Sequence, residues 1–408
     1  MEIDLQTRGE QMLALRYARM AAAPAFLRGG FRPFFFGGPL WAVVALALWI
    51  LALAGSIQLP SAFDALAWHR HEMLFGFVGA IIAGFLLTAV PNWTGRLPIA
   101  GYPLAALFGL WVAGRLAVLF SAVVGAMAAA VLDVGFFLVL ALLAAREVLE
   151  SRNRNLPIVG LIFIFGLVDA FDHAAAAGLI GDPDHAWKCA VALVIVMISL
   201  IGGRIIPSFT RNWLVKQGAR EGLPTQPGRF DLAVIGLTAF AFLAWITAPQ
   251  GWLTGALFAL AAAGQAFRLA RWKGWKTFAD PLVLILHVGY AWVPVGLGLL
   301  AAVDFGAHFP RSAAVHALTA GAMATMILAV MSRATLGHTG RELRASSFTQ
   351  AAYVLITAGA VLRVCAPLGL LDYRLGMEVA GSLWMGAFLL FLVAYGPILL
   401  GPRADGKL

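Results

Sequence analysis

The residues of this chain best suited to chemistry are histidines placed at the ends of long apolar runs. His69-Arg70-His71 opens a run that stops at Pro91-Asn92-Trp93-Thr94-Gly95-Arg96, and His316 opens one that stops at Gly337-His338-Thr339-Gly340-Arg341. The interval from His71 to His316 equals that from Arg96 to Arg341, so the two runs register without a gap. A weaker middle copy starts at His185 and ends at Pro207-Ser208-Phe209-Thr210-Arg211-Asn212, in register with His69 and Pro91. Neutral imidazole suits copper and iron alike, and an imidazole inside a bilayer is costly enough to imply a role. The pattern predicts haem or metal binding.

The elements that must hold these side chains are membrane helices. Hydrophobic residues make up 61% of the chain and charged ones 12%, where a soluble surface needs roughly a quarter charged. Runs long enough to cross a bilayer recur from end to end. They read as Phe34–Leu53, His71–Val90, Pro103–Phe120, Ala122–Ala144, Pro157–Leu179, Trp187–Ile206, Leu232–Ala248, Trp252–Phe267, Pro281–Val303, Ala313–Met331, Ala351–Pro367 and Val379–Leu400. The expectation is an all-α integral membrane protein of about twelve transmembrane helices, forming a single polytopic domain over residues 1–408.

The net charge of +9 does not indicate nucleic acid, because Lys and Arg gather before the first run and then in every second loop. Those loops hold Arg146/Arg152/Arg154, Arg211/Lys216/Arg220/Arg229, Arg268/Arg271/Lys273/Lys276 and Arg333/Arg341/Arg344. By the positive-inside rule both termini are expected to face the cytoplasm. Residues 1–33 then form a cytoplasmic segment without a cleavable signal, in which Gln11–Met20 could lie on the inner surface as an amphipathic helix. Residues 207–230 form the longest cytoplasmic loop. Cys189 and Cys365 sit in apolar runs with no zinc or redox spacing.

Taking the His-led runs as the second, sixth and tenth helices divides the chain into three groups of four. An even number makes the copies parallel, with a pseudo-symmetry axis along the membrane normal. His69, His71, His185 and His316 then lie toward the outer leaflet, and His173 reaches the same level from the fifth helix.

His69 and His71, two apart, point nearly opposite ways on a helix and cannot both hold one ion there. His71 and His316 are candidates to hold a six-coordinate haem b between them, as facing helices of a bundle do. His287, inside the ninth run, is a candidate for a second metal or for a structural hydrogen bond, although its depth lies closer to the inner side. Asp169, Asp172 and His173 interrupt the fifth run, and Asp169 and His173 share a face. They suggest a proton relay, a support for a metal, or a structural polar cluster. Arg115 and Arg363 could clamp haem propionates, although Arg115 has a local alternative in Asp133. His338 and His308 read as solvated.

The chain resembles the NnrS family of bacterial membrane proteins. The resemblance rests on Gly30-Phe31-Arg32-Pro33-Phe34-Phe35, Trp68-His69-Arg70-His71-Glu72-Met73, Gly203-Arg204-Ile205-Ile206-Pro207-Ser208-Phe209-Thr210, Leu286–Trp292, and His316 through Gly340-Arg341. It implies bound haem and copper, ligands at His69, His71, His287 and His316, and a role in nitric oxide stress and denitrification. His173, His185, Arg115 and Arg363 lie outside what it carries. The layout is also similar to haem–copper oxidase and nitric oxide reductase catalytic subunits, with twelve helices in three pseudo-repeats. It departs from them in having no adjacent His-His pair on the seventh helix and one His on the tenth.

Two kinds of function follow. One is a haem- and copper-containing protein that binds or consumes nitric oxide, with a quinol or cytochrome as electron donor if it reduces it and with Asp169, Asp172 and Glu72 on the proton path. The other is a transporter of a metal, haem or an iron–nitrosyl species. A haem sensor without turnover is a third reading.

Overall fold

The computed structural model describes residues 8–180, 184–248 and 251–406; residues 1–7 of the expected cytoplasmic segment lie outside it. Among the described residues, twelve helices are long and apolar enough to cross a membrane. They are α1 (Phe31–Leu53), α2 (Ala65–Thr94), α3 (Tyr102–Leu119), α4 (Ala126–Glu150), α5 (Leu156–Ala176), α6 (Asp184–Lys216), α7 (Arg229–Thr247), α8 (Trp252–Lys276), α9 (Pro281–Asp304), α10 (Arg311–His338), α11 (Ser347–Cys365) and α12 (Tyr373–Leu400). No strand occurs among the described residues. Lipid offers no hydrogen-bond partner to a backbone, so continuous helices are the economical solution for a chain this apolar. The protein is a multi-pass, all-α membrane protein.

A lead-in helix, Arg8–Ala22, covers the expected surface segment. Its Arg16 donates to the Glu147 carboxylate at 2.6 Å, and that bond raises the Arg16 guanidinium pKa above its ordinary value.

Several helices run further than their apolar runs predict. α6 continues through Pro207 to Lys216, which shortens the expected loop 207–230 to residues 217–228. Arg211, Arg268 and Arg333, expected in loops, belong to α6, α8 and α10. Arg268 is fully buried, donating to Asp231 at 2.9 Å and to Ser199, Gln265 and Tyr290 at 2.8 Å. A charge is tolerated at such a position when a carboxylate and several polar groups surround it. His338 is half-buried against the Phe31 ring at 5.6 Å rather than solvated.

The chain divides into two compact units. The first comprises Met1–Ala186, Thr335–Arg341 and Tyr395–Leu408; the second comprises Trp187–Ala334 and Glu342–Ala394. In the first, α1 packs on α2, α3 on α4, and α4 on α5. Small residues allow the close approach that membrane helices depend on: a Cβ on Gly79 would meet the Phe137 ring at 2.6 Å. Arg32, almost completely buried, donates to the carbonyls of Ile398, Leu399 and Gly401, satisfying the open end of α12. In the second unit α7 to α11 pack successively on one another.

Two helices change winding midway. α2 is α-helical to His71, π-helical over Glu72–Val78, and α-helical again from Gly79. α10 does the same, with its π segment at Ala317–Met323 directly after His316. The two segments stand at the same interval as the two histidines, so the register read from the residues extends to the backbone. α6, which carries the weaker middle copy, has no such segment. A π turn inserts a residue into the helical ladder and re-aims the side chains around it, and such turns concentrate at functional sites.

Candidate metal centre

The change of winding at His71 separates the directions of two consecutive side chains. Glu72 faces α1 and α3, where its Oε2 accepts from Trp41 Nε1 and Arg115 Nη1, each at 2.6 Å. His71 faces α4 and α5, with Nε2 2.7 Å from Asp133 Oδ2 and Nδ1 2.9 Å from Asp172 Oδ2. Asp133 is the hub: its Oδ2 also meets His173 Nε2 at 3.2 Å, and its Oδ1 accepts from Arg115. Gly76, one turn on from Glu72, makes room for this. A Cβ there would lie 2.4 Å from Glu72 Oε2 and 2.7 Å from Arg115 Nη1. Its carbonyl accepts from Trp111 Nε1 of α3 at 3.0 Å.

Asp169 completes the arrangement. It is fully buried, its Oδ1 lies 3.9 Å from His71 Nδ1 and 4.0 Å from His173 Nε2, and neither oxygen accepts a hydrogen bond among the described residues. One ligand atom each from His71, Asp133, Asp169 and His173 lies within 4.8 Å of the others. A first-row ion with bonds of about 2.1 Å separates its ligands by about 3.4 to 4.2 Å, so small side-chain movements would close this set on a cation. The Phe63 ring lies 4.8 Å from His71 and 5.3 Å from His173, and Phe75 lies 5.2 Å from His71. These rings keep water from the acids.

The charges argue for a cation. Glu72, Asp133, Asp169 and Asp172 converge where Arg115 is the guanidinium present, and uncompensated buried carboxylates are strongly unfavourable. A bound metal ion would offset that negative charge, and its binding takes the ligands in their deprotonated forms. Asp172, its side chain 13% exposed, is the edge of the cluster nearest to solvent.

The expected site residues therefore separate into groups. His71, Asp169, Asp172, His173 and Arg115 come together, as the shared face of Asp169 and His173 predicts. Arg115 is committed to Glu72 and Asp133, the local alternative, and offers no open fork for propionates. His69 points away from the cluster and stacks on Trp49 at 4.0 Å, which agrees with its two-residue offset from His71. His185 is half-buried in the first turn of α6 and is not one of the four clustered ligands.

In the second unit, His316 places Nδ1 2.7 Å from the Ser312 carbonyl and accepts from Arg363 Nη2 at 2.9 Å through Nε2. This supplies the partner for Arg363 that the sequence did not reveal. His287 Nε2 lies 2.8 Å from Thr210 Oγ1, and Thr210 donates to the Ile206 carbonyl. The imidazole therefore donates through Nε2, leaving Nδ1 deprotonated, buried and without a hydrogen-bond partner. Asp133, a candidate ligand, and Glu72, which shares Arg115 with it, are the residues whose part the sequence did not reveal. An Asp in mid-helix and a Glu beside the histidine were signals, but only the packing of α2 on α4 shows where they meet.

Haem does not fit at His71 in this arrangement. Carboxylate oxygens stand against both ring nitrogens, and Phe63, Phe75 and His173 (4.9 Å) occupy the surrounding space. His316 likewise has both nitrogens engaged. What the described residues form around His71 is a compact cluster that could hold a single metal ion.

Comparison with known proteins finds one family: the profile described as NnrS protein matches residues 25–403 of the chain. No curated protein matches it.

Proposed function

The chain belongs to the NnrS family, and on that premise we propose that it is a nitric-oxide-directed protein of the bacterial inner membrane with a resident metal ion at His71, Asp133, Asp169 and His173. Asp169 carries the reading. A fully buried carboxylate that accepts no hydrogen bond, set about 4 Å from two imidazole nitrogens, is a poor structural choice and a good ligand.

The donor set, two imidazoles and two carboxylates without a thiolate, suits copper(II) better than copper(I). Bound there, the ion would supply a coordination position for a small diatomic ligand. The protein's own groups do the rest. Arg115 balances Glu72 and Asp133 so that they stay oriented, Phe63 and Phe75 hold water off, and Asp172 holds the His71 ring in place from the edge nearest to solvent. Nitric oxide is small and apolar and reaches such a site through the bilayer. Where it is reduced, a quinol or cytochrome supplies the electrons. Haem b, implied by the family resemblance, finds no slot at His71 or His316 as they are arranged. His287, whose buried Nδ1 accepts no hydrogen bond among the described residues, is another family-matched imidazole that could give a lone pair.

The test is metal content, spectrum and nitric oxide uptake of the purified full-length chain. Wild type should hold metal stoichiometrically and Asp169→Asn should retain about tenfold less or lower still. A metal content unchanged by Asp169→Asn would overturn the assignment. A Soret band lost on substituting both His71 and His316 would restore the axial pair. Uptake of nitric oxide sustained by a chemical reductant would separate turnover from simple binding, and a colourless, metal-free protein would favour the transporter.

A further inference from the structure

A second site lies in the first unit, at the ends of α1 and α2. A cavity of about 340 Å³ opens there, and its lining includes Tyr17 of the lead-in helix, Arg28, Arg32, Asn92 at the end of α2, His338 and Arg403. The three guanidiniums are not equivalent. Arg403 is neutralised by Asp405, with contacts of 2.6 and 2.8 Å. Arg28 and Arg32 spend donors only on backbone carbonyls. Arg28 gives Nε to Ala23 (2.9 Å) and Nη2 to Ala21 (3.3 Å), while Arg32 gives Nη1 to Ile398, Leu399 and Gly401.

Carbonyls satisfy hydrogen bonds but leave charge uncompensated. Among the described residues no carboxylate pairs with either side chain, and those bonds leave Arg28 Nη1 and Arg32 Nε and Nη2 unspent. Arg32 is 3% exposed, so its charge is partly desolvated and acts on the cavity at short range. The cavity also includes Gly29 and Gly30, which lead into α1, where backbone N–H groups and the helix dipole favour an anion. Gly30 is required for the approach, since a Cβ there would lie 2.3 Å from Leu87 Cβ.

We propose that this cavity binds a phosphate-type oxyanion, gripped by Arg28 and Arg32 at the start of α1. Guanidinium forks match tetrahedral oxyanions, and two of them beside a helix N-terminus make a directional site. It lies where α1 begins and α2 ends, the level at which helices of bilayer length would meet lipid phosphates. The same chemistry would accept an anionic phospholipid headgroup or a free phosphate.

The test uses the full-length chain in lipid nanodiscs and in detergent. Binding of phosphatidylglycerol over phosphatidylcholine is read by native mass spectrometry of detergent-solubilised protein. Inorganic phosphate is added separately to protein in phosphatidylcholine nanodiscs, with ³¹P line broadening as the readout. Wild type should retain phosphatidylglycerol or broaden the phosphate signal, the first outcome indicating a headgroup and the second a free oxyanion. Arg28→Gln should reduce either effect at least fivefold, and Asn92→Asp, which puts negative charge at the rim without removing an arginine, should do the same. Arg154→Gln, outside the cavity, should leave both unchanged. Wild type that prefers neither probe, or Arg28→Gln and Asn92→Asp proteins that bind as wild type does, would overturn the proposal. Arg32 is left intact because it also caps α12.

Discussion

At the scale of single residues, the cluster around His71 turns on four carboxylates gathered where Arg115 pairs with two of them, Glu72 and Asp133. Removing Arg115 would leave Glu72 and Asp133 buried without their cation. We expect Arg115→Met to destabilise the protein by about 3–5 kcal/mol, measured by unfolding in detergent. Adding Glu72→Gln to that variant should restore part of the loss, because it removes one of the two stranded charges; no restoration would mean that the pair acts through packing alone. Asp169→Asn carries a complementary expectation. If Asp169 exists to bind a cation, the variant loses metal and its apoprotein is as stable as wild-type apoprotein or more so, since an unsatisfied carboxylate is relieved. A variant that is less stable without metal while still binding metal normally would point to a structural acid. His69→Ala, which loses a stacking contact on Trp49, should leave metal content unchanged.

At the scale of the helix, the π segments are the elements that aim the chemistry. Each contains a glycine pressed against a neighbour: Gly76 against Glu72 and Arg115, and Gly321 against the Trp292 ring, where a Cβ would come within 2.6 Å. Gly76→Ala should cost about 1–3 kcal/mol and lower metal retention together, because the intruding methyl must push Glu72 or Arg115 aside. Gly109→Ala, with nothing within 4 Å of the added Cβ, is the matched control and should be neutral in both assays. Equal effects of the two substitutions would show that the close approach at Gly76 is not what holds the cluster. The two π segments also say which part of the internal repeat is strongest. The outer copies share winding as well as histidines, whereas α6 keeps a regular helix beyond His185.

At the scale of the whole molecule, the positive-inside rule applied to Lys and Arg predicts that both termini face the cytoplasm. Fusing a fluorescent protein that folds only in the cytoplasm to either terminus should give bright cells, and fusing alkaline phosphatase there should give inactive enzyme. The opposite pattern at either end would reverse the orientation and place the His71 cluster nearer the inner face. The assignment survives the movement of Arg211, Arg268 and Arg333 from loops into helices. Basic residues such as Arg152, Arg220 and Arg344 still stand in the same connections.

What composition and periodicity determine here is the architecture. Apolar runs of bilayer length allow little except helices, so the number of spans and the approximate centre of each follow from the residues alone. The face shared by Asp169 and His173, and the opposed directions of His69 and His71, are equally local, because helical geometry specifies them over a few residues. Helix ends are less legible, since polar residues such as Arg268 and Thr210 can continue a helix once partners elsewhere satisfy them. The identity of the site was decided by tertiary structure. Whether His71 faces a porphyrin, another imidazole or a nest of acids depends on which helix packs beside α2, and Asp133 and Asp172 reach it from positions far away in the chain. Burial makes those meetings decisive, because charges removed from water must be neutralised by whatever the neighbouring helices bring.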